Sequence, residues 1–274
     1  GKLGRAGIIL NDIPGITIGD NGMNENVFHD LNFGIEIHNS NTNVQNCRFD
    51  KISADNAYLA APYNLLKPLG VGITARREND FMYFLDVNPL ASGANTVTNT
   101  TVGIYTNFYN ARINGISMTG VTYGIKSEES HSKCSVIVSD CEIEASYRGI
   151  EWINNHGASQ MLATSNTIVV KRPNGLVKGG ICIAMNEFQA GNNANYCIAD
   201  NYHLETQSSA AGISATGVEK AQISYNQIFI NQGQQPASGA TGIIVNGGGS
   251  NSVNCNSDTN TIPHTNTGTI GMNV

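Results

Sequence analysis

A two-part phrase recurs along nearly the whole of this 274-residue chain. The first part is Gly followed by Ile and then by alternating apolar residues. The second part is Asn or Cys, any residue, and an apolar residue, and the two parts alternate strictly except between Gly72 and Gly103, where a second part is missing. A period of roughly 20 to 50 residues is typical of solenoids and arrays. First parts stand at Gly15, Gly34, Gly72, Gly103, Gly124, Gly149, Gly180, Gly212 and Gly242, with a weaker copy at Gly271; second parts begin at Asn26, Cys47, Asn114, Cys141, Asn166, Asn226 and Asn260.

The spacing within the phrase predicts strands rather than helices. Successive first parts are 19 to 38 residues apart, which is too variable for a helical repeat. Apolar residues alternate with period two, as in Ile35 and Ile37 or Ile181 and Ile183, and this is the pattern of a strand with one buried face. Short strands, variable turns and a fixed repeated register predict a coil of stacked rungs with one continuous core.

The fold class predicted from this pattern is all-β: a right-handed parallel β-helix, or solenoid, of about nine or ten rungs with an irregular insertion. The hand follows from the general rule for parallel crossovers, and rungs roughly 4.8 Å apart would give a rod of roughly 45 Å. The 36 Asn residues fit the prediction, because Asn tolerates left-handed turns and can form hydrogen-bonded ladders. The candidate ladder is the column Asn26, Asn114, Asn166, Asn201, Asn226 and Asn260, with Cys47 and Cys141 in the same column.

The Gly-Ile-x-Ile and Asn-x-Ile/Phe phrases, clearest over residues 27–52, resemble the right-handed parallel β-helix repeats of the pectate-lyase-like superfamily. More narrowly, they are similar to the non-enzymatic repeat regions of large secreted bacterial surface proteins. The resemblance covers roughly residues 7–274, with a gap at about 55–98. It implies the fold more strongly than a function, because this fold hosts lyases, hydrolases, epimerases, phage tailspikes and adhesins.

We expect one elongated domain over residues 1–274, with an irregular insertion at 55–98 that is rich in Tyr, Phe and Pro. The insertion is either a long turn with its own small apolar cluster or a binding loop. Strand-like pattern starts almost at once, at Gly7-Ile8-Ile9-Leu10, and runs into the last residues. Terminal solenoid repeats normally carry caps, so we expect either that the chain belongs to a longer one or that neighbouring chains cap it in an assembly.

Composition limits the partners that we expect. The net charge of −6 argues against nucleic acid, because a basic face is expected there, and no run approaches the 18 apolar residues of a membrane span. The six Cys residues show neither a CxxC motif nor metal-ligand spacing, so we predict no metal site and no cofactor. A disulfide such as Cys182–Cys197 is left open.

The residues two and four positions after each Gly should point outward, and their charges gather in the N-terminal rungs. The two columns predicted from the spacing are Glu36, Thr74, Tyr105, Lys126, Glu151, Cys182, Ser214 and Ile244, and His38, Arg76, Asn107, Glu128, Ile153, Ala184, Thr216 and Asn246. From these the candidate binding residues are Glu36, His38, Arg76, Tyr105, Asn107, Lys126, Glu128 and Glu151.

Two interpretations of this charged face remain. Glu128 and Glu151 lie on adjacent rungs with Cα atoms roughly 8 Å apart, which is compatible with the carboxylate pair of an inverting glycosidase. The simpler interpretation is that Lys126 and Glu151 form a cross-rung ion pair of about 0.2–1 kcal/mol. If the chain is an enzyme, the candidate catalytic residues are Glu128, Glu151, Lys126 and Arg76, with Arg76 or Lys126 as the base of a lyase.

The sequence favours a structural or binding module, secreted or exposed at the cell surface, whose partner is a polysaccharide or a protein. Self-assembly or contact with flanking domains at the rod ends is also expected, because free strand edges can template pairing. The alternative is a polysaccharide-active enzyme, either a glycoside hydrolase or a polysaccharide lyase. A third interpretation, a segment of a trimeric phage tailspike, is singled out by no residue of the chain.

Overall fold

The computed structural model describes residues 4–19, 24–53, 70–90, 94–129, 134–154, 160–171, 180–187, 195–207, 211–218, 220–230, 241–246, 252–255 and 270–273, and for residues 220, 252–255 and 270–273 it describes the backbone alone. All regular structure in these residues is β: 25 strands form two sheets in which every pairing is parallel. This architecture is compatible with a parallel β-helix.

From Gly34 onwards, the strands that carry the Gly-Ile phrase stack in one ladder of the larger sheet, and the strand Gly4–Asn11, with Gly7 beside Gly34, precedes them. The first part predicted at Gly15 was wrong, because Ile16–Ile18 pairs with Thr42–Val44 in the other sheet. Their inward Ile residues, from Ile35 through Ile73, Ile104 and Ile125 to Ile150, pair in register and are all fully buried. In order of pairing the strands are β1 (Gly4–Asn11), β4 (Leu31–His38), β7 (Val71–Arg76), β10 (Val102–Asn107), β12 (Ser117–Glu129), β14 (Glu142–Asn154), β17 (Ile181–Glu187), β20 (Ala211–Thr216), β23 (Thr241–Asn246) and β25 (Ile270–Asn273).

The second part of the phrase forms another ladder of the same sheet. Strands β12 and β14 belong to both ladders, because each is 13 residues long and its first residues pair in the second ladder. The remaining strands of this ladder are β3 (Asn26–His29), β6 (Cys47–Asp50), β9 (Thr96–Thr98), β16 (Thr167–Val170), β19 (His203–Thr206) and β22 (Ile228–Ile230).

A separate nine-stranded sheet closes each repeat on the other side of the core. Its inward residues, such as Val44, Val87 and Ile113, are fully buried and belong to the same apolar cluster as the Ile column. The strands, in order of pairing, are β2 (Ile16–Ile18), β5 (Thr42–Val44), β8 (Phe84–Val87), β11 (Asn110–Asn114), β13 (Ser135–Ser139), β15 (Gln160–Thr164), β18 (Asn195–Ala199), β21 (Lys220–Ser224) and β24 (Ser252–Cys255).

Three strands of one repeat, β7, β8 and β9, fall inside the range 55–98 where an irregular insertion is expected. The second part that the sequence analysis missed between Gly72 and Gly103 is Asn95-Thr96-Val97, whose Thr96 pairs with Arg48 on one side and Ser117 on the other. Residues 54–69 and 91–93 of the expected insertion lie outside the described residues.

The asparagine ladder forms in the later repeats. The Nδ2 of Asn166 donates to Oδ1 of Asn201 at 2.9 Å, and the Nδ2 of Asn201 donates to Oδ1 of Asn226 at 2.7 Å. The backbone N–H of Cys141 donates to Oδ1 of Asn166. The residue before each of these positions has a positive φ, as in Asp140, Ser165, Asp200 and Tyr225, so the chain turns there in the left-handed region.

Two residues predicted for the ladder, Asn114 and Asn260, are not found in it among the described residues. The predicted position of Asn114 was wrong, because Asn114 pairs with Ser139 in the nine-stranded sheet. Ile116 takes the ladder position beside Cys141. Asn260 lies outside the described residues. After Asn201 the chain holds one extra residue, the exposed Tyr202, so the apolar place is taken by Leu204.

Candidate functional site

The two predicted columns lie side by side on the ladder of Gly-Ile strands. Glu36 pairs with Thr74, Thr74 with Tyr105, Tyr105 with Lys126, and Lys126 with Glu151. In the neighbouring column the register runs from His38 to Arg76, Asn107, Glu128 and Ile153. The period-two pattern therefore placed all eight candidate binding residues correctly relative to one another.

Beyond Glu151 the predicted columns were wrong by two residues in one strand, Ile181–Glu187, and correct again at Ser214 and Ile244 and at Thr216 and Asn246. Glu151 pairs with Ala184 and not with Cys182, and Ile153 pairs with Asn186. Cys182 takes the place that Gly holds in the other repeats, since a β-carbon on Gly149 would lie 2.5 Å from the Cys182 carbonyl oxygen. Cys182 is a free, fully buried thiol, and Cys197 is also free.

The first column is much less exposed than an outward position predicts. Glu36, Thr74 and Tyr105 are 1%, 1% and 3% exposed. Tyr105 packs with Phe33, Val71 and Val102 in an apolar cluster separate from the main core, with Ala6 and Tyr123 at its margin. The charged face is therefore a half-buried layer of side chains, and His38, Arg76, Asn107 and Glu128 form its more accessible part.

At one end of this face, Glu36 lies between two cationic groups. Its Oε1 is 3.2 Å from an Arg5 guanidinium nitrogen and 3.1 Å from Nε2 of His38, whose Nδ1 is 3.3 Å from Oε1 of Glu78. Burial acts to raise the pKa of Glu36, but the hydrogen bond with His38 and the charge of Arg5 outweigh it, so the pKa is lowered. The hydrogen bond with Glu36 raises the pKa of His38 against the effect of burial, because two carboxylates favour an imidazolium that donates from both nitrogens.

At the other end, Lys126 lies between the two acids considered for hydrolysis. Its Nζ is 2.8 Å from Oε1 of Glu128 and 3.8 Å from Oε2 of Glu151, and Nε of Arg148 is 3.7 Å from Oε1 of Glu151. The expected Lys126–Glu151 ion pair is therefore present. Burial raises the pKa of Glu151, and the charges of Lys126 and Arg148 do not fully offset it. Burial alone would lower the pKa of Lys126, but the bond to Glu128 raises it.

Tyr105 joins the two columns. Its hydroxyl donates to Oε2 of Glu128 at 2.8 Å, and the Arg76 guanidinium lies 5.1 Å from the centre of its ring, which is within the range of a cation–π contact. Burial, reinforced by Glu128, raises the pKa of Tyr105. Asn107 donates to the Glu128 carbonyl oxygen at 3.2 Å.

Several residues of this face were missed by the sequence analysis. Tyr123 and Arg148 lie in the column of residues that directly precede each Gly. In this column Val102 pairs with Tyr123, and Tyr123 pairs with Arg148. Arg148 stacks 3.9 Å from the centre of the Tyr147 ring, and Tyr123 meets Tyr147 edge-on at 5.4 Å. The signal was available, because that column follows from the same spacing as the two that were considered. Arg5 and Glu78 carried no comparable signal.

The described part of the chain holds no group of three or more His, Cys, Asp or Glu residues arranged to bind a metal ion. In the same residues no helix has the length and apolar character needed to cross a membrane. No protein-family model, curated protein or solved structure matches this chain.

Proposed function

We propose that this chain is a right-handed parallel β-helix of about nine or ten rungs, related in fold to the pectate-lyase-like superfamily, that acts as a structural and binding module. In this proposal it is secreted or exposed at a cell surface and binds a polysaccharide or a protein, with self-assembly or flanking domains at the rod ends. The strand order and the fully parallel register support the architecture.

The observation that carries the proposal is the mutual pairing of the ionisable groups on the charged face. Lys126 contacts both Glu128 and Glu151, and Glu128 also accepts the Tyr105 hydroxyl. Glu36 is held by Arg5 and His38. A general acid or base must be within hydrogen-bond reach of a substrate proton, whereas these groups already bond one another. A preformed layer of charges and aromatic rings is better suited to recognition than to proton transfer.

The first test is a glycan array combined with a cleavage assay for reducing ends and unsaturated uronates on the same glycans. We expect binding without cleavage, and weaker binding by Arg76→Ala and Glu128→Gln, which change the more accessible part of the face. Arg112→Ala, an exposed arginine of the nine-stranded sheet, is the control. Cleavage by the unchanged chain would refute the proposal of a non-catalytic module.

The alternative function is a polysaccharide-active enzyme, and one observation favours it. Glu151 has a raised pKa, as a general acid requires, and it lies beside Glu128 at the same lysine. An inverting hydrolase would use Glu151 as acid and Glu128 as base. Loss of cleavage in both Glu151→Gln and Glu128→Gln, with the fold retained, would establish this function.

A further inference from the structure

A second surface of the molecule has the features of a sugar site, and it lies on the nine-stranded sheet rather than on the charged face. There a cleft of about 400 Å³ opens beside β2, β5 and β8, which is within the size range of small-molecule sites. Its chemistry is set by Thr17, Asn43, Phe84 and Asp86.

The polar lining is ordered by the sheet register. Thr17 pairs with Asn43, and Asn43 pairs with Asp86, so three polar side chains stand in one column at the roughly 4.8 Å spacing of adjacent strands. Amide, carboxylate and hydroxyl groups at this spacing can bond successive hydroxyls of a pyranose ring, since the carboxylate accepts and the amide both accepts and donates.

The same polar groups have no partner within the described residues. Oδ1 of Asn43 is a buried atom without a hydrogen bond. No described side chain forms an ion pair or hydrogen bond with Asp86, although Arg112 follows it in the column. A buried polar atom without a partner is costly, so a ligand that bonds the Asn43 amide would gain affinity.

Phe84 supplies an apolar platform beside these groups. The residue is 54% exposed and lines the cleft. Its backbone is fixed because its N–H donates to Oδ1 of Asn41 at 2.9 Å. The amide of Asn41 in turn donates to the Pro14 carbonyl oxygen. Sugar recognition combines an aromatic face for the C–H surface of the ring with polar groups for its hydroxyls, as ligand sites in general combine apolar walls with a few placed polar groups.

We propose that this cleft binds a neutral pyranose unit of a glycan, independently of the charged face. The lining carries one carboxylate, Asp86, and no cation, so an acidic sugar would be repelled. The charged face holds both acids and cations, such as Glu128 and Lys126, so the two sites would engage different glycans or different parts of one glycan.

The test is saturation-transfer NMR on the full chain with the methyl glycosides of glucose, galactose and mannose, and with oligogalacturonate as the acidic probe. We expect transfer to at least one neutral glycoside, and an affinity about tenfold lower or worse in Phe84→Ala and Asp86→Asn. Phe81→Ala removes another exposed ring, 72% exposed, that does not line the cleft, and it should bind like the unchanged chain.

Each other result would overturn the inference. The inference is overturned if magnetisation is transferred to no neutral glycoside, or to oligogalacturonate alone. It is also overturned if Phe84→Ala and Phe81→Ala lose affinity equally. Circular dichroism of each variant separates lost binding from lost folding. Neutral binding abolished by Glu128→Gln but not by Phe84→Ala would place the sugar on the charged face, which would support the proposed function while refuting this second site.

Discussion

The Cγ2 atom of Ile168 lies where a side chain on Gly149 would begin: a β-carbon there would be 2.3 Å from it. The same relationship joins Gly34 to Phe49 and Gly212 to Ile228, each at 2.4 Å. In each pair the glycine belongs to the first part of the recurring phrase and the apolar residue to the second part that follows it. The two parts are therefore one packing unit, and this explains why they alternate along the chain.

The first prediction is that Gly149→Ala destabilises the protein by about 1–3 kcal/mol, the range for overpacking a core. The new methyl group would meet Ile168 and also the Cys182 carbonyl oxygen at 2.5 Å, and backbone cannot move aside as a flexible side chain can. Urea denaturation measures the loss. Gly15→Ala is the matched control, because nothing lies within 4 Å of its β-carbon position; equal effects of the two changes would contradict the packing argument.

The second prediction concerns the asparagine ladder. Asn226→Ala should cost about 1–3 kcal/mol, because it leaves the buried amide of Asn201 without its acceptor and removes the bonds to the Ile198 and Ser224 carbonyl oxygens. Gln227→Ala changes the next residue, which is exposed, and should stay within about 0.5 kcal/mol. Denaturation midpoints compare the two, and a comparable loss in Gln227→Ala would argue against the ladder as the cause.

The third prediction is a pH dependence from the Glu36–His38 contact. The pKa of His38 is raised, so its contribution to stability is complete below its unfolded pKa of about 6.5 and is lost as the pH rises through the folded value. The pKa of Glu36 is lowered, so its contribution is present above about 4.3 and is lost as the pH falls through the folded value. Both groups therefore stabilise the fold between about pH 4.3 and 6.5.

The difference in melting temperature between the unchanged chain and His38→Gln should accordingly shrink as the pH is raised from 6 to 9. An NMR titration of the His38 ring, assigned by its absence in His38→Gln, gives the pKa directly. A value at or below the ordinary one for histidine would refute the proposed effect of Glu36 on His38.

The fourth prediction concerns the coupling of Lys126 to Glu151. A double-mutant cycle with Lys126→Met and Glu151→Gln should give an interaction energy of about 1 kcal/mol or more at pH 7, since both side chains are mostly buried and residues in contact do not behave additively. At pH 3 the interaction should fall towards zero, because Glu151, whose pKa is raised, is protonated there. An interaction energy that does not change with pH would exclude an ion pair as its origin.

The order of the charged residues could be read from the sequence because it depends on local pattern alone. In a ladder of parallel strands, a glycine and a period of two fix which residue follows which, and this placed Glu36, Tyr105, Lys126 and Glu151 in the order that the structure has. The same reasoning failed at Cys182, since only packing against the neighbouring strand shows that a small buried thiol can replace the glycine.

The amino-acid sequence by itself determined the parallel ladder of Gly-Ile strands and its inward column of isoleucines, because both follow from the alternation of side chains along one strand. Tertiary structure alone decided which outward side chains are buried and what they contact. Glu36 is 1% exposed because Arg5 and His38 reach it from an adjacent strand and its own strand. Phe84 and Asn43 line one cleft because their strands are neighbours. Such contacts join residues tens of positions apart, and turn conformation rather than local periodicity brings them together.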